Sequence, residues 1–131
     1  MSKTKRADAL GKVTQLRLQA DQAKLAGLHA HETGLRQNLQ DLIRQRRPLR
    51  VLDRADVDAA TKAGADLRWQ LWVDQRRRAI NEELALLLAQ KAECEVVLRK
   101  SFGQDQAAQM LNKQVQANAK QARLRRASYD S

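Results

Sequence analysis

The chain has 131 residues, a formal net charge of +10 and only 3% aromatic residues. Its length predicts a single domain, and its high content of Ala, Leu, Gln and charged residues is typical of long helices and coiled coils. So few aromatic side chains argue against a thick enclosed interior, and we expect an elongated all-α protein.

The net positive charge is concentrated at the two ends of the sequence. Residues 1–50 carry eleven Lys and Arg against four Asp and Glu, and residues 106–131 carry five against one. Between them, residues 51–105 carry nine against ten. Two basic ends predict an acidic protein partner or a polyanion.

The first predicted element is a helix over about residues 3–47. Its leucines recur in alternating steps of three and four residues, which is the seam pattern of a coiled coil. Two acidic residues, Asp21 and Glu32, occupy seam positions, and we expect Arg76 of the second helix to pair with one of them. The seam leucines are Leu18, Leu25, Leu28, Leu35, Leu39 and Leu42.

Pro48 is the only proline and predicts the end of the first helix, because proline in a helix interior costs about 3 kcal/mol. A turn over about residues 48–53 follows, and Asp53 suits the N-cap of the next helix. A short connection favours antiparallel neighbours. The sequence therefore predicts an antiparallel two-helix coiled-coil hairpin, with the turn at one end and both basic chain ends at the other.

The second predicted helix spans about residues 54–100, with a bend marked by Gly64. The stretch Ser101-Phe102-Gly103 is a weak point, where the helix either kinks or gives way to a separate segment capped by Ser101. Residues 104–126 are predicted as a helical extension whose continuity with the second helix is left open, and residues 128–131 are expected to fray. The apolar stripe of this helix comprises Trp69, Val73, Arg76, Ile80, Leu84, Leu87, Cys94 and Leu98.

No pattern in the sequence predicts catalysis, a cofactor or a metal site. His29 and His31 are two residues apart and would face different directions on a helix, and no glycine-rich phosphate loop is present. Cys94 is the only cysteine and lies on the apolar stripe, as a small buried hydrophobe would. With no secretory signal and no apolar run longer than residues 84–89, we expect a non-enzymatic cytoplasmic protein.

Trp69 and Trp72 carry most of the aromatic area in the chain. Because two helices cannot fully enclose a tryptophan, we predict that these residues form an exposed aromatic patch with Val73 and Arg76, of the kind favoured at protein interfaces. An equally weighted alternative is ordinary seam packing, and the two can coexist. The seam partners would be Leu39, Leu42 or Ile43.

Basic residues from both chain ends form the second candidate surface. Such a cluster can bind an acidic protein surface or phosphates, although no aromatic residue is interleaved with it and no nucleic-acid recognition motif is present. The alternative is a solvated end without a partner. The members of the cluster are Lys3, Lys5, Arg6, Arg17, Arg123, Arg125 and Arg126.

Arg68-Trp69, followed by the sequence RRAINEEL over residues 77–84, resembles the start of the second helix in a family of small stalk proteins. These are FliJ of flagella and YscO of injectisomes, which belong to the type III protein export apparatus. The resemblance covers about residues 67–100 by sequence, and most of the chain by length, hairpin pattern and basic character.

The resemblance implies a stalk similar to the rotor stalk of rotary ATPases. The paired helix ends would enter a hexameric export ATPase and promote its assembly and activity, a role that falls here to the basic residues of both chain ends. The aromatic patch would contact the membrane-embedded export gate. The protein would then be cytoplasmic and peripheral at the inner face of the cell membrane through its partners, without membrane insertion or a small-molecule substrate.

Two other functions remain open. One is a basic coiled-coil protein that binds nucleic acid, which predicts a steep loss of affinity as salt rises. The other is a general coiled-coil scaffold or secretion chaperone that masks a helix of its partner.

Overall fold

The computed structural model describes residues 2–45 and 57–130. Helix α1 spans Lys3–Gln45 and has 43 residues, and helix α2 spans Val57–Asp130 and has 74. The described residues contain no strand, and the two helices pack against each other. The predicted all-α helical hairpin is therefore confirmed. The predicted turn at Pro48, the N-cap at Asp53 and the first residues of the predicted second helix lie outside the described residues.

Helix α1 begins where the sequence predicts. The Ser2 Oγ atom accepts a hydrogen bond of 3.3 Å from the backbone N–H of Lys5, and the Ser2 carbonyl accepts one of 3.1 Å from the N–H of Arg6. A serine hydroxyl at this position satisfies an N–H group that has no partner within the helix. Ser2 therefore caps α1.

Helix α2 is a single helix through both of its predicted weak points. It continues through Gly64 and through Ser101–Gly103, so residues 104–126 are part of it, and it extends to Asp130. Ser101 does not cap a new segment, because it is buried and its hydroxyl donates to the Asp21 carboxylate of α1. The residues before the C-terminus are mostly Ala, Gln, Lys, Arg and Leu, which are strong helix formers.

The helices belong to two units. The central unit is Leu28–Lys91, and the terminal unit combines Met1–Gly27 with Ala92–Ser131. In the central unit the predicted leucine seam forms the core, and two β-branched residues of α2, Val73 and Ile80, are its most completely buried side chains. The core comprises Leu35, Leu42, Val73, Ile80, Leu84 and Leu87, with Leu28 and Leu39 packed against it.

The core of the terminal unit is built from smaller side chains. Its buried apolar residues are Ala7, Leu18, Cys94 and Ala108, so the prediction that Cys94 is buried is confirmed. At Gly11 an added Cβ would lie only 3.4 Å from the side-chain nitrogen of Gln109. The absence of a side chain at Gly11 therefore leaves room for the Gln109 side chain against α1.

Polar contacts in the terminal unit show that its helices are antiparallel. The Thr14 hydroxyl donates to Asp105 Oδ1 at 2.9 Å, and farther along α1 Asp21 accepts from Ser101, which lies earlier on α2. Asp21 is thus a hydrogen-bonded seam residue and not a simple interruption of the seam. Its partner is Ser101, and the predicted pairing with Arg76 is absent.

Glu32, the other acidic seam residue, is buried within the central unit and has two cationic partners. Lys91 Nζ lies 3.1 Å from its Oε2 atom and Arg36 Nη2 lies 3.3 Å from its Oε1 atom. The hydrogen bond from Lys91, with help from Arg36, lowers the pKa of Glu32 from its usual value, against the opposing effect of desolvation. The prediction that Arg76 pairs with Glu32 is wrong, because Lys91 takes that place.

Candidate partner-binding surfaces

Two tryptophans form a stacked, half-exposed pair on α2 in the central unit. Trp69 and Trp72 are three residues apart, so they share a face of the helix, and their ring centroids lie 5.2 Å apart at an interplanar angle of 24°. Their exposed fractions are 40% and 49%. The structure thus favours the predicted exposed patch over ordinary burial of both rings in the seam.

Trp69 also holds the end of the first helix. Its Nε1–H donates to the backbone carbonyl of Gln45 at 3.3 Å. Carbonyls in the last turn of a helix have no partner within that helix, so this contact satisfies one of them. One edge of the indole is therefore fixed to α1 while much of the ring remains accessible.

Val73 does not belong to this surface, contrary to the prediction. It is only 1% exposed and lies in the core of the central unit. Although it follows Trp69 by four residues, it lies on the side of Trp69 away from Trp72, about 100° around the helix from that ring. Arg76 is exposed and follows Trp72 by four residues, which puts it on the same face. We define the aromatic patch as Trp69, Trp72 and Arg76.

Sequence reasoning missed two exposed leucines on the face of α2 opposite the aromatic patch, each about 160° around the helix from Trp69. Leu67 and Leu71 are each about half exposed, and their spacing of four residues places them on a common face of α2. That spacing is the signal that could have found them. They extend the accessible apolar area of this stretch of α2.

Helix α2 extends past the start of α1 in the terminal unit. Gly11 of α1 faces Gln109, so Lys3, eight residues earlier, is level with about residue 117 of α2. All side chains from residue 120 to residue 130 are exposed. These eleven residues, which we call the overhang, form roughly 15 Å of helix beyond the level of Ser2, where the described part of α1 begins.

Six of the seven predicted basic residues lie at this end of the terminal unit. All six are exposed, and along the helix axis they fall within roughly 18 Å of one another. No Asp or Glu occurs between Asp105 and Asp130. We call these residues the basic end, and they are Lys3, Lys5, Arg6, Arg123, Arg125 and Arg126.

Arg17 is not part of the basic end, and its predicted place there is wrong. With Gly11 level with Gln109, Arg17 is level with about residue 103 of α2, roughly 30 Å along the axis from Arg123. The prediction also missed two members of the overhang, Lys120 and the highly exposed Tyr129. Lys120 and Arg123 both lie in the segment between Asp105 and Asp130 that has no acidic residue. That segment is the feature of the sequence from which Lys120 could have been predicted.

Arg17 instead borders an apolar groove between α1 and α2 in the terminal unit. Three of the apolar residues in the groove are substantially exposed: Leu10 by 45%, Val13 by 62% and Leu111 by 46%. We call it the terminal groove. It is lined chiefly by Leu10, Val13, Arg17, Gln104, Ala107 and Leu111.

The two histidines contact acidic residues of the central unit. His29 Nδ1 lies 3.6 Å from Glu32 Oε2, and His31 Nε2 lies 3.4 Å from Glu83 Oε1. Across residues 2–45 and 57–130, no group of three or more His, Cys, Asp or Glu side chains is placed to hold a metal ion. Neither described helix contains a segment with the length and apolar character needed to cross a membrane.

In comparisons with known proteins, no family model, no curated protein and no solved structure matches this chain. The aromatic patch, the basic end and the terminal groove are three candidate surfaces, and all are defined by geometry alone.

Proposed function

We propose that this protein is a non-enzymatic stalk or adaptor of a bacterial type III protein export apparatus. The observation that carries the proposal is the overhang, a length of exposed basic helix that extends beyond its partner helix. The resemblance of residues 67–100 to FliJ and YscO supports the same function. In this proposal the basic end contacts a hexameric export ATPase, and the aromatic patch contacts a protein of the export gate.

The overhang suits insertion into an acidic cavity. Its side chains are exposed on every face, and its charged residues are Lys120, Arg123, Arg125 and Arg126 with a single carboxylate, Asp130. A helix without tertiary packing is only marginally stable in water. An acidic partner that surrounds it would both neutralise its charge and hold it in place. The exposed cations at the start of α1 add to the same electrostatic surface.

The aromatic patch suits a second partner. Tryptophan and arginine are the residues most enriched where binding energy is concentrated at protein interfaces. Trp69 is anchored through Gln45 and stacked on Trp72, so little side-chain freedom is lost when a partner covers the pair. The protein would act in the cytoplasm and reach the inner face of the cell membrane through the gate protein.

The test uses the purified chain with the export ATPase encoded by the same organism. We expect the chain to raise ATP hydrolysis and to promote the hexamer, as followed by light scattering after size-exclusion chromatography. The triple variant R123E/R125E/R126E should lose both effects. A matched triple variant at exposed positions outside the basic end, K24E/R99E/K100E, should keep them although its net charge is the same. No complex and unchanged hydrolysis with the unaltered chain would refute the proposal.

Nucleic-acid binding is a second candidate, favoured by one observation. The overhang combines four cations with the exposed ring of Tyr129, and aromatic rings can stack on unpaired bases. If four phosphates were neutralised, affinity for duplex DNA should fall on the order of 100-fold between 50 and 200 mM salt. Fluorescence anisotropy with unrelated DNA and RNA sequences would detect this, and no binding at 50 mM would exclude it.

The remaining alternative, a general scaffold or secretion chaperone, predicts a different response to mutation. Trp69→Ala and Trp72→Ala would abolish binding of its partner, whereas charge reversal at the basic end would change little. The ATPase assay and the charge-reversal variants therefore separate this alternative from the stalk.

A further inference from the structure

The terminal groove has an apolar floor contributed by both helices. On α1, Leu10 and Val13 are three residues apart, and on α2, Ala107 and Leu111 are four apart, so each pair lies on one face of its helix. Three of these four side chains are between 45% and 62% exposed. A two-helix unit has only a narrow seam, so it leaves such flanking residues partly exposed.

Cations flank this floor. On α1, Arg6, Leu10, Val13 and Arg17 follow one another at steps of four, three and four residues, and Lys24 comes seven residues later. They therefore form one continuous face. All three cations of this face are exposed.

The α2 side of the groove has the same character. Lys100, Gln104, Ala107 and Leu111 follow one another at steps of four, three and four residues. Lys100 is exposed, and neither this face nor the α1 face carries a carboxylate. The nearest acidic side chains in the seam are already engaged, Asp21 with Ser101 and Asp105 with Thr14. The groove is thus apolar along its middle and positive at its margins.

We propose that the terminal groove binds an amphipathic helix of another protein, whose apolar stripe is flanked by Asp and Glu. Such a helix would lie along the hairpin as a third helix, and place residues spaced by three and four positions between Leu10, Val13 and Leu111. From Arg6 to Lys24 the groove face of α1 is about 27 Å long. An acidic helix of about 18 residues has this length and complements the charge of the face.

A second copy of this chain fits the groove less well. Each copy would present the same basic face and carry a net charge of +10, so like charges would meet along the margins. This site shares only Arg6 with the basic end, and the groove variants tested below leave Arg6 unchanged. The inference therefore does not depend on the export ATPase, and variants of one surface can be tested without changing the other.

The test uses two designed, fluorescein-labelled 18-residue peptides as probes. Both have Leu at positions i, i+3, i+4 and i+7, and they differ only in carrying Glu or Lys at the flanking positions. Fluorescence anisotropy with the full chain should show at least tenfold tighter binding of the Glu peptide. The variant L10Q/V13Q/L111Q should weaken this binding at least tenfold, and R17E/K100E should weaken it at low salt.

Controls keep the result interpretable. The variant L71Q/L86Q alters two exposed apolar residues of the central unit and should leave binding unchanged, and circular dichroism checks that every variant stays helical. Equal affinity for the Glu and Lys peptides would overturn the proposal, as would unchanged binding by the groove variant. A dimer in sedimentation velocity that is abolished by L10Q/V13Q/L111Q would instead assign the groove to self-association.

Discussion

Substituting neighbouring residues of α2, Val73 and Trp72, should separate the core of the central unit from its aromatic patch. Val73 is 1% exposed and Trp72 is 49% exposed. Val73→Ala removes two buried methyl groups, worth about 0.8 kcal/mol each, and leaves a small cavity. We therefore expect Val73→Ala to lower the free energy of unfolding by about 2–3 kcal/mol.

Trp72→Ala should have a smaller effect on folding and a larger one on binding. It removes a half-exposed ring and its stacking on Trp69, which is worth about 0.5–1.5 kcal/mol. If the patch is a binding hot spot, the same substitution should weaken the gate complex by at least 2 kcal/mol, or about 30-fold. Val73→Ala, measured where the variant is still folded, should leave that affinity within about threefold.

Urea unfolding followed by circular dichroism at 222 nm measures the first effect, and calorimetry with the gate protein measures the second. Leu86→Ala is the matched control for stability, because Leu86 is 69% exposed and its truncation should change the free energy of unfolding by less than about 0.5 kcal/mol. A loss below 0.5 kcal/mol for Val73→Ala would refute the assignment of Val73 to the core. Gate affinity that is unchanged by Trp72→Ala would refute the role of the patch.

Three further predictions concern the helices and their seam. Gly27→Ala and Gly34→Ala should each raise the free energy of unfolding by about 0.5–1 kcal/mol in urea titrations, because an added Cβ meets nothing within 4 Å at either position. Ser101→Ala should cost about 1–3 kcal/mol in the same assay, since it removes the hydroxyl that donates to a part-buried carboxylate. The pKa of Glu32 is lowered in the folded state, so its contribution to stability is present above pH 4.5 and lost as the pH falls through the lowered pKa. The urea midpoint of unfolding should therefore fall less steeply between pH 6 and pH 3 in the Glu32→Gln variant. The control variant is Glu82→Gln, which changes an exposed glutamate and should keep the steeper fall.

The hairpin and its leucine seam could be predicted from the sequence because both rest on local signals. Spacings of three and four residues define a helix face without knowledge of the partner helix. The exposure of Trp69 and Trp72 followed from a similar argument, since two helices have too little interior to enclose large rings. Val73 was misplaced because proximity in sequence to Trp72 was taken as proximity on the surface, although consecutive helical residues point about 100° apart.

The errors in the terminal unit have a different physical origin, the register between the helices. Arg17 belongs to a basic sequence segment, but only the alignment of Gly11 with Gln109 reveals which residues of α1 are level with the overhang. The terminal groove requires the same register, because its two apolar faces are nearly 100 residues apart in sequence. Neither feature can be obtained from the periodicity of one helix alone.

Register also accounts for the polar residues that interrupt the seam. A seam made only of leucines can shift by one heptad and still bury apolar surface, so it specifies alignment weakly. Thr14, Asp21 and Glu32 each contact one residue of α2, respectively Asp105, Ser101 and Lys91. A shift of the helices would leave the partly or fully buried carboxylates of Asp21 and Glu32 without partners, which is costly. The polar contacts therefore select one alignment within each unit, and in the terminal unit that alignment determines which residues of α2 extend past the start of α1 as the basic overhang.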